Sequence, residues 1–270
     1  MSDLRIFSYL PNPRIWKATI TARLCGVDVE VRGSSPKELQ SWLWDFDAHP
    51  LSGSDLATSA DTQTGKVGFT GTLHKTAAFM EAHPFGTVPA AFSPDGKTGI
   101  FESNSIMRAV ARIGEKRFPL YGRDAYEASR IDSFLDASLV FARDSQIYLL
   151  SLISGTVSPE IHSRMRDGFK VYLGGINQAL SPERDCLVGD SVSIADICFV
   201  AELALFFNEK ARSGELTKRG LEPILHDGVD GEFPLAFAHF AKLSKHAAFA
   251  PDMESYLKKI ESSRAAQRSH

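Results

Sequence analysis

The spacing of apolar and polar residues predicts a strand, a helix and a second strand at the start of the chain. Residues 4–9, LRIFSY, form a short strand-like run that ends at the turn sequence PNP. Apolar residues then recur at helical spacing over 14–24, and Gly26 follows where a helix of that length ends. Residues 27–31, VDVEV, alternate as a half-buried strand does. This order is that of a strand–helix–strand unit.

A hairpin and a helix follow a long polar stretch. Residues 88–92, VPAAF, and residues 100–101, IF, flank a loop that contains Asp-Gly, which is a strong hairpin signal. Helical spacing then covers 105–114. The first part of the chain therefore predicts a βαβ unit followed by ββα, a mixed α/β domain over residues 1–116.

The second part of the chain carries only helical periodicity. Strand signals end near Asp124, and few prolines interrupt the segments that follow. The predicted helical segments are 125–152, 158–180, 193–213 and 234–263. We therefore expect an all-α domain over residues 124–263, joined to the first domain by the linker 117–124, which contains Pro, Gly and charged residues.

The segment 45–75 is longer than an ordinary connection between elements. It is rich in Ser, Thr, Gly and Asp. This composition favours a flexible surface excursion, and a lid or a partner contact is the alternative.

Composition and charge exclude some classes of function. The chain has 270 residues, with 30 Lys and Arg against 33 Asp and Glu and a net charge of −3. These charges are scattered, so we expect no nucleic-acid partner. Cys25, Cys186 and Cys198 are widely separated, and no pair of His residues has zinc-site spacing, so we expect neither a disulfide framework nor a metal. We find no signal sequence and no run of about 20 apolar residues, which predicts a cytoplasmic protein without a membrane span.

Pro89 is unusual inside a predicted strand, because proline removes a hydrogen bond from the ladder. The predicted order of elements, with Val88-Pro89 at the start of the third strand, resembles that of the glutathione S-transferase family. The resemblance implies a thioredoxin-like N-terminal domain with a mixed four-stranded sheet. It also implies that the Val88–Pro89 bond is cis, so that the backbone of Val88 pairs with the cysteinyl backbone of glutathione as an added strand does.

The sequence FESNSI carries the second feature of the resemblance. Glu102 and Ser103 precede a predicted helix, whose first amide groups and dipole favour a carboxylate, while an acidic side chain pairs with an ammonium group. The γ-glutamyl group of glutathione carries both charges. The alternative is that Ser103 only caps the helix and Glu102 is solvated. The glutathione-binding residues that the resemblance implies are Arg14, Thr87, Val88, Pro89, Glu102 and Ser103.

The segment 186–200, CLVGDSVSIADICFV, resembles the glycine-aspartate turn and helix cap of the same family. Ser193 at the N-cap and Asp196 three residues later form a capping-box pattern, which bears on the fold and not on the substrate. Two further segments, 14–26 and 86–106, look most like the transferase-like domain of translation elongation factor 1-gamma.

The turn after the first strand, SYLPNPR, is where the family places a hydrogen-bond donor that favours the glutathione thiolate. In one alignment the family's serine falls on Leu10, which has no donor. In a second alignment, the stretch from Asn12 to Trp16 resembles the Ser-Pro-x-x-Trp sequence of bacterial glutathione-dependent ether-cleaving enzymes, and the Asn12 amide is the predicted catalytic donor. Tyr9 is the other catalytic candidate, with burial in the strand as its alternative. Arg14 either reaches glutathione or starts the first helix in solvent.

The resemblance also implies a pocket for a hydrophobic second substrate. The predicted lining residues are Phe141, Tyr148, Phe206 and Phe207, each of which is also a natural core residue. The leading hypothesis is a homodimeric glutathione transferase that uses glutathione as co-substrate and acts on a hydrophobic or aromatic electrophile by conjugation, dehalogenation or ether cleavage. The alternative is a non-catalytic interaction module with a transferase-like fold.

Overall fold

The structure, a computed structural model, describes residues 2–57, 61–64, 69, 71–116 and 118–268. Contacts divide the chain into two compact units, Met1–Phe118 and Pro119–His270. The division falls inside the stretch 117–124 that the sequence marks as a linker.

The main sheet of the first unit has four strands in the order β2-β1-β7-β8. These strands are β1 (Leu4–Phe7), β2 (Val29–Arg32), β7 (Ala90–Phe92) and β8 (Gly99–Phe101). β1 pairs in parallel with β2 and antiparallel with β7, and β7 pairs antiparallel with β8. The helices α1 (Pro13–Cys25) and α4 (Ser103–Ile113) pack against each other. The mixed four-stranded sheet and the predicted fold class are confirmed.

Local signals at both ends of α1 explain where this helix begins and ends. Asn12 is the N-cap and Pro13 occupies the first turn, where the missing proline N–H costs nothing. Gly26 has φ 67° and donates its N–H to the carbonyl of Ala22. A residue with a side chain is strained at this φ, so the glycine ends the helix at the predicted position.

The first unit contains a second four-stranded sheet, which the sequence analysis did not predict. Its order is β4-β3-β6-β5. The strands are β3 (Trp42–Trp44), β4 (His49–Pro50), β5 (Asp61–Thr64) and β6 (Thr72–Lys75), and the short helices α2 (Gly53–Ala57) and α3 (Ala77–Ala82) accompany them. Trp44, Ala48 and Leu73 are buried in one cluster with Phe7 and Phe92 of the main sheet.

The interpretation of 45–75 as a flexible surface excursion is therefore wrong for the part that enters the core, while Ser52, Gly53 and Ser54 are exposed. Ala48 and Leu73 are each 2% exposed, which is the burial of core residues. Strands of two to four residues are too short to show a period of two in the sequence. Residues 58–60, 65–68 and 70 of this segment lie outside the described residues.

The described residues of the second unit form helices and turns. The helices are α5 (Ala125–Ser154), α6 (Pro159–Ala179), α7 (Ile194–Phe206), α8 (Ser213–Thr217), α9 (Val229–Glu232), α10 (Pro234–Ser244) and α11 (Ala250–Arg268). The predicted helix over 234–263 is two helices, because α10 ends at Ser244 and α11 begins at Ala250. The capping box of Ser193 and Asp196 at the start of α7 is confirmed. Among the described residues, no helix is both long and apolar enough to cross a bilayer.

Candidate functional site

The Val88–Pro89 peptide bond is cis, as the resemblance implied. It lies immediately before β7. The pairing of β7 with both β1 and β8 begins at Ala90. Thr87 is exposed and both Val88 and Pro89 are partly exposed. The two residues of the cis bond thus lie just beyond the ends of both ladders, at the surface of the first unit.

The hairpin brings the second predicted motif to the same place. Ala90 is opposite Phe101 in the antiparallel pair of β7 and β8, so residues 88–89 and residues 102–103 lie at the same end of the hairpin. Glu102 is exposed, with φ 65° and ψ 123°, and it is the N-cap of α4. Ser103 begins that helix and is 8% exposed. Positive φ is costly for a glutamate, and such strain is often found at functional positions.

Lys75 of the second sheet positions the loop that leads into the cis bond. Its side chain is 6% exposed, and its ammonium nitrogen lies 2.7 Å from the carbonyl oxygen of Gly86, two residues before Val88. The same ammonium group lies 5.0 Å from the ring centre of Trp44. The second sheet thus contributes directly to the geometry of this loop.

Lys17, which was not predicted from the sequence, contacts the start of α4 beside this candidate site. Its side chain is 1% exposed, and its ammonium nitrogen donates to Asn104 Oδ1 at 2.7 Å and to Ser103 Oγ at 3.3 Å. The available signal was a lysine among apolar neighbours in the middle of a predicted helix. Position within the helix alone does not show which partner such a lysine reaches.

Asn12, the predicted donor to the thiolate, is fully buried in a structural role. Its Oδ1 accepts the N–H of Arg14 at 3.0 Å, and its Nδ2 donates to Ser8 Oγ at 3.0 Å. The amide therefore caps α1 and fastens it to the end of β1. In this conformation Asn12 offers no surface to a ligand, and its catalytic role stays a prediction.

The other predicted residues near the turn are more accessible. Tyr9 is partly exposed and packs against the core cluster that contains Trp44, and Arg14 is partly exposed in the first turn of α1.

The hydroxyl of Thr87 lies 3.4 Å from Nε2 of His83. His83 is fully buried and stacks on Phe101 with ring centres 5.0 Å apart. Burial lowers the pKa of this histidine.

The four predicted pocket residues belong to the second unit, and three of them are core residues there. Phe141, Tyr148 and Phe206 are at most 2% exposed. Phe141 stacks on Tyr172 with ring centres 4.5 Å apart, and the hydroxyl of Tyr148 donates to Glu209 at 2.6 Å. The remaining residue, Phe207, is partly exposed. Their assignment to a substrate pocket stays a prediction, and their described packing is that of a helical core.

Curated relatives of this chain include glutathione transferases. Glutathione S-transferase F9 of Arabidopsis thaliana is 29% identical over 130 residues, which cover 46% of this chain and 60% of that protein. Elongation factor 1-gamma of Trypanosoma cruzi is 29% identical over 138 residues, which cover 50% of this chain and 32% of that protein. The match thus spans less than two thirds of the length of each relative. No family model matches the chain.

The fold is that of solved glutathione transferases. A glutathione S-transferase from Methylobacterium radiotolerans, solved in complex with glutathione sulfonate, matches with a TM-score of 0.62 and 17% identity. The match covers 93% of this chain and 94% of that one. The curated relatives and the shared fold confirm the resemblance to glutathione transferases and to elongation factor 1-gamma. Within the described part of the chain, no group of three His, Cys, Asp or Glu side chains is arranged to hold a metal ion.

Proposed function

We propose that the first unit binds glutathione and that the protein is a glutathione transferase acting on a hydrophobic or aromatic electrophile. The observation that carries this proposal is that Val88 and Pro89 lie at the same end of the hairpin as Glu102 and Ser103. The structure from Methylobacterium radiotolerans supports it, since that protein has the same fold and was solved with glutathione sulfonate.

Three groups of this site match three parts of glutathione. The backbone of Val88 pairs with the cysteinyl backbone as an added strand does. The first amide groups of α4 and the hydroxyl of Ser103 receive the α-carboxylate of the γ-glutamyl group, at the positive end of the helix dipole. The exposed carboxylate of Glu102 pairs with the ammonium group of the same residue.

Thiol activation belongs to the turn after β1 in this proposal. A donor there stabilises the thiolate, which is the nucleophile in glutathione transfer. Asn12 has its amide held between Ser8 and Arg14, whereas Tyr9 is partly exposed. Tyr9 is therefore the more accessible of the two predicted catalytic residues, and the proposal assigns it the donor role.

A glutathione affinity column followed by an activity assay tests the proposal. We expect the protein to be retained, to elute with free glutathione, and to consume glutathione with at least one member of a panel of aromatic halides, epoxides and aryl ethers. Glu102→Ala should be retained less, while Glu115→Ala, which changes an exposed residue just beyond the other end of α4, should behave as the unaltered protein. Failure of the unaltered protein to bind glutathione would contradict the proposal.

A second candidate function is a glutathione-binding interaction module without turnover. The burial of Asn12 favours it, because the predicted thiolate donor is engaged in a helix cap, and Leu10 offers no donor. The sequence relationship to elongation factor 1-gamma also favours it. Retention on glutathione together with no turnover across the panel would select this function.

A homodimer is part of the leading proposal. The helix α5 exposes the apolar side chains Leu139, Val140, Ile147 and Ile153. We expect sedimentation equilibrium to give twice the chain mass, and Ile147→Glu to shift the protein towards the monomer. A monomeric unaltered protein at micromolar concentration would remove this part of the proposal.

A further inference from the structure

The ammonium group of Lys17 is an unusual feature of the described part of the first unit, because it is almost completely buried. It lies in the middle of α1 with 1% of its surface exposed. Withdrawing an ammonium group from water is costly unless hydrogen bonds compensate it. The ammonium group of Lys17 donates two hydrogen bonds to the first turn of α4, to Ser103 Oγ and to Asn104 Oδ1. A buried charge is thus fastened to the start of the helix that carries the predicted carboxylate site.

The direction of the hydrogen bond to Ser103 fixes what the serine hydroxyl can do. An ammonium group has only donors, so Ser103 Oγ acts as the acceptor from Lys17. The hydroxyl proton of Ser103 is then free to be donated to another group. A hydroxyl that accepts from a cation is also polarised and becomes a stronger donor.

The bond to Asn104 fixes the ammonium group in place. At 2.7 Å it is the shorter of the two contacts, and Asn104 is 1% exposed. The two acceptors are consecutive residues at the start of α4. The charge of Lys17 is therefore in contact with the first turn of this helix, whose amide groups carry the positive end of the helix dipole. Both effects favour a bound anion.

We propose that Lys17 is a positioning residue for a carboxylate ligand at the start of α4. It holds Ser103 as a donor and adds a buried positive charge to the positive end of the helix. The ligand chemistry is an α-carboxylate, and in glutathione this group belongs to the γ-glutamyl residue. This inference rests on the proposed function, and it adds a residue outside the two motifs that define the site.

Calorimetric titration of the full chain with two ligands tests the inference. The first ligand is glutathione, and the second is 4-aminobutyryl-cysteinylglycine, which lacks only the α-carboxylate. We expect Lys17→Met to weaken glutathione binding about tenfold or more, the usual effect of losing a hydrogen-bond network to a charged group. The same variant should change binding of the second ligand less than about twofold, because the missing carboxylate is the group that Lys17 serves.

Four further variants separate this role from a structural one. Lys17→Arg keeps the charge and should recover most of the affinity for glutathione. Lys17→Gln keeps a donor without the charge, and serves as the test if Lys17→Met does not fold. Ser103→Ala should weaken glutathione binding, as Lys17→Met does. Thr21→Val removes a buried hydroxyl from the same helix, one that donates to the carbonyl of Lys17, and should leave both affinities unchanged.

The outcomes distinguish this inference from the proposed function. If the unaltered protein binds glutathione and the neutral variants at position 17 bind it equally well, the inference is wrong and the proposed function stands. Equal losses for the two ligands would also overturn it, since they would indicate a general disturbance of the fold. If the unaltered protein binds neither ligand, the proposed function and the inference fail together.

Discussion

Nδ2 of Asn12 lies 3.0 Å from Oγ of Ser8, and this hydrogen bond joins the start of α1 to the end of β1. Both residues are fully buried. The bond uses the amide group that sequence reasoning assigned to the glutathione thiolate, while the carbonyl oxygen of the same side chain caps the helix. In this geometry the side chain of Asn12 stabilises the start of α1 and its attachment to the end of β1.

We therefore expect Asn12→Ala to destabilise the protein. Loss of an N-cap side chain costs about 1 kcal/mol, and the buried hydroxyl of Ser8 loses its donor as well, so a total of about 1–3 kcal/mol is reasonable. Urea unfolding measures this change. Asn12→Asp, which keeps the cap acceptor, is the control and should recover part of the loss. Unchanged stability together with a raised pKa of the bound glutathione thiol would instead give Asn12 the catalytic role.

Tyr9→Phe tests the remaining donor in the turn. Removing the phenol hydroxyl takes away stabilisation of the thiolate, so the pKa of bound glutathione should rise and turnover should fall by about tenfold or more. Ultraviolet absorbance of the thiolate, recorded against pH, measures the pKa. Tyr126→Phe is the matched control, because Tyr126 is 88% exposed in the second unit. A thiol pKa that is the same in both variants would exclude Tyr9 as the donor.

Glu102 combines a predicted contact with a strained backbone, and two substitutions separate these roles. Glu102→Ala and Glu102→Gly both remove the carboxylate, so both should weaken glutathione binding. Glycine tolerates φ 65° without the steric cost that alanine pays, so Glu102→Gly should be more stable than Glu102→Ala by about 1 kcal/mol. Thermal unfolding and calorimetry give the two quantities. Equal glutathione affinity in all three proteins would remove Glu102 from the site.

Buried His83 should make the stability of the first unit depend on pH. Burial lowers its pKa below the ordinary value of about 6.5, so the unfolded chain binds a proton more readily than the folded protein. Stability should therefore be lost as the pH falls below about 6.5. His83→Phe keeps the ring against Phe101 and should reduce the slope between pH 7.5 and pH 5 in thermal unfolding. An identical slope in both proteins would contradict this assignment.

Short-range signals in the sequence predicted much of this structure. The glycine at position 26, the capping box of Ser193 and Asp196, and the Asp-Gly loop each specify a local conformation through a few neighbouring atoms. The cis bond at Val88–Pro89 came from the resemblance, since a sequence gives only the proline and not its isomer.

The features that were missed depend on partners far away in the chain. Lys17 meets Ser103 at a separation of 86 residues. The second sheet has strands of at most four residues, and its burial comes from packing on Phe7 and Phe92. No local period in the sequence records such contacts, so neither the second sheet nor the partners of Lys17 could be predicted from it.

Tyr148→Phe separates a core role from a pocket role in the second unit. The hydroxyl of Tyr148 donates to Glu209, whose carboxylate also accepts the backbone N–H groups of Ile224 and Leu225. Burial raises the pKa of both Tyr148 and Glu209. Removing one donor from a buried carboxyl group costs about 1–3 kcal/mol, so we expect a clear loss in urea unfolding.

The same variant should leave the KM for the electrophile unchanged, because Tyr148 has no exposed surface. Tyr126→Phe, which removes an exposed hydroxyl at the start of α5, controls for the loss of a phenol group and should change neither quantity. A large change in KM without a loss of stability would place Tyr148 in contact with substrate, since a hydroxyl that acts only inside the core affects the folding equilibrium before it affects binding.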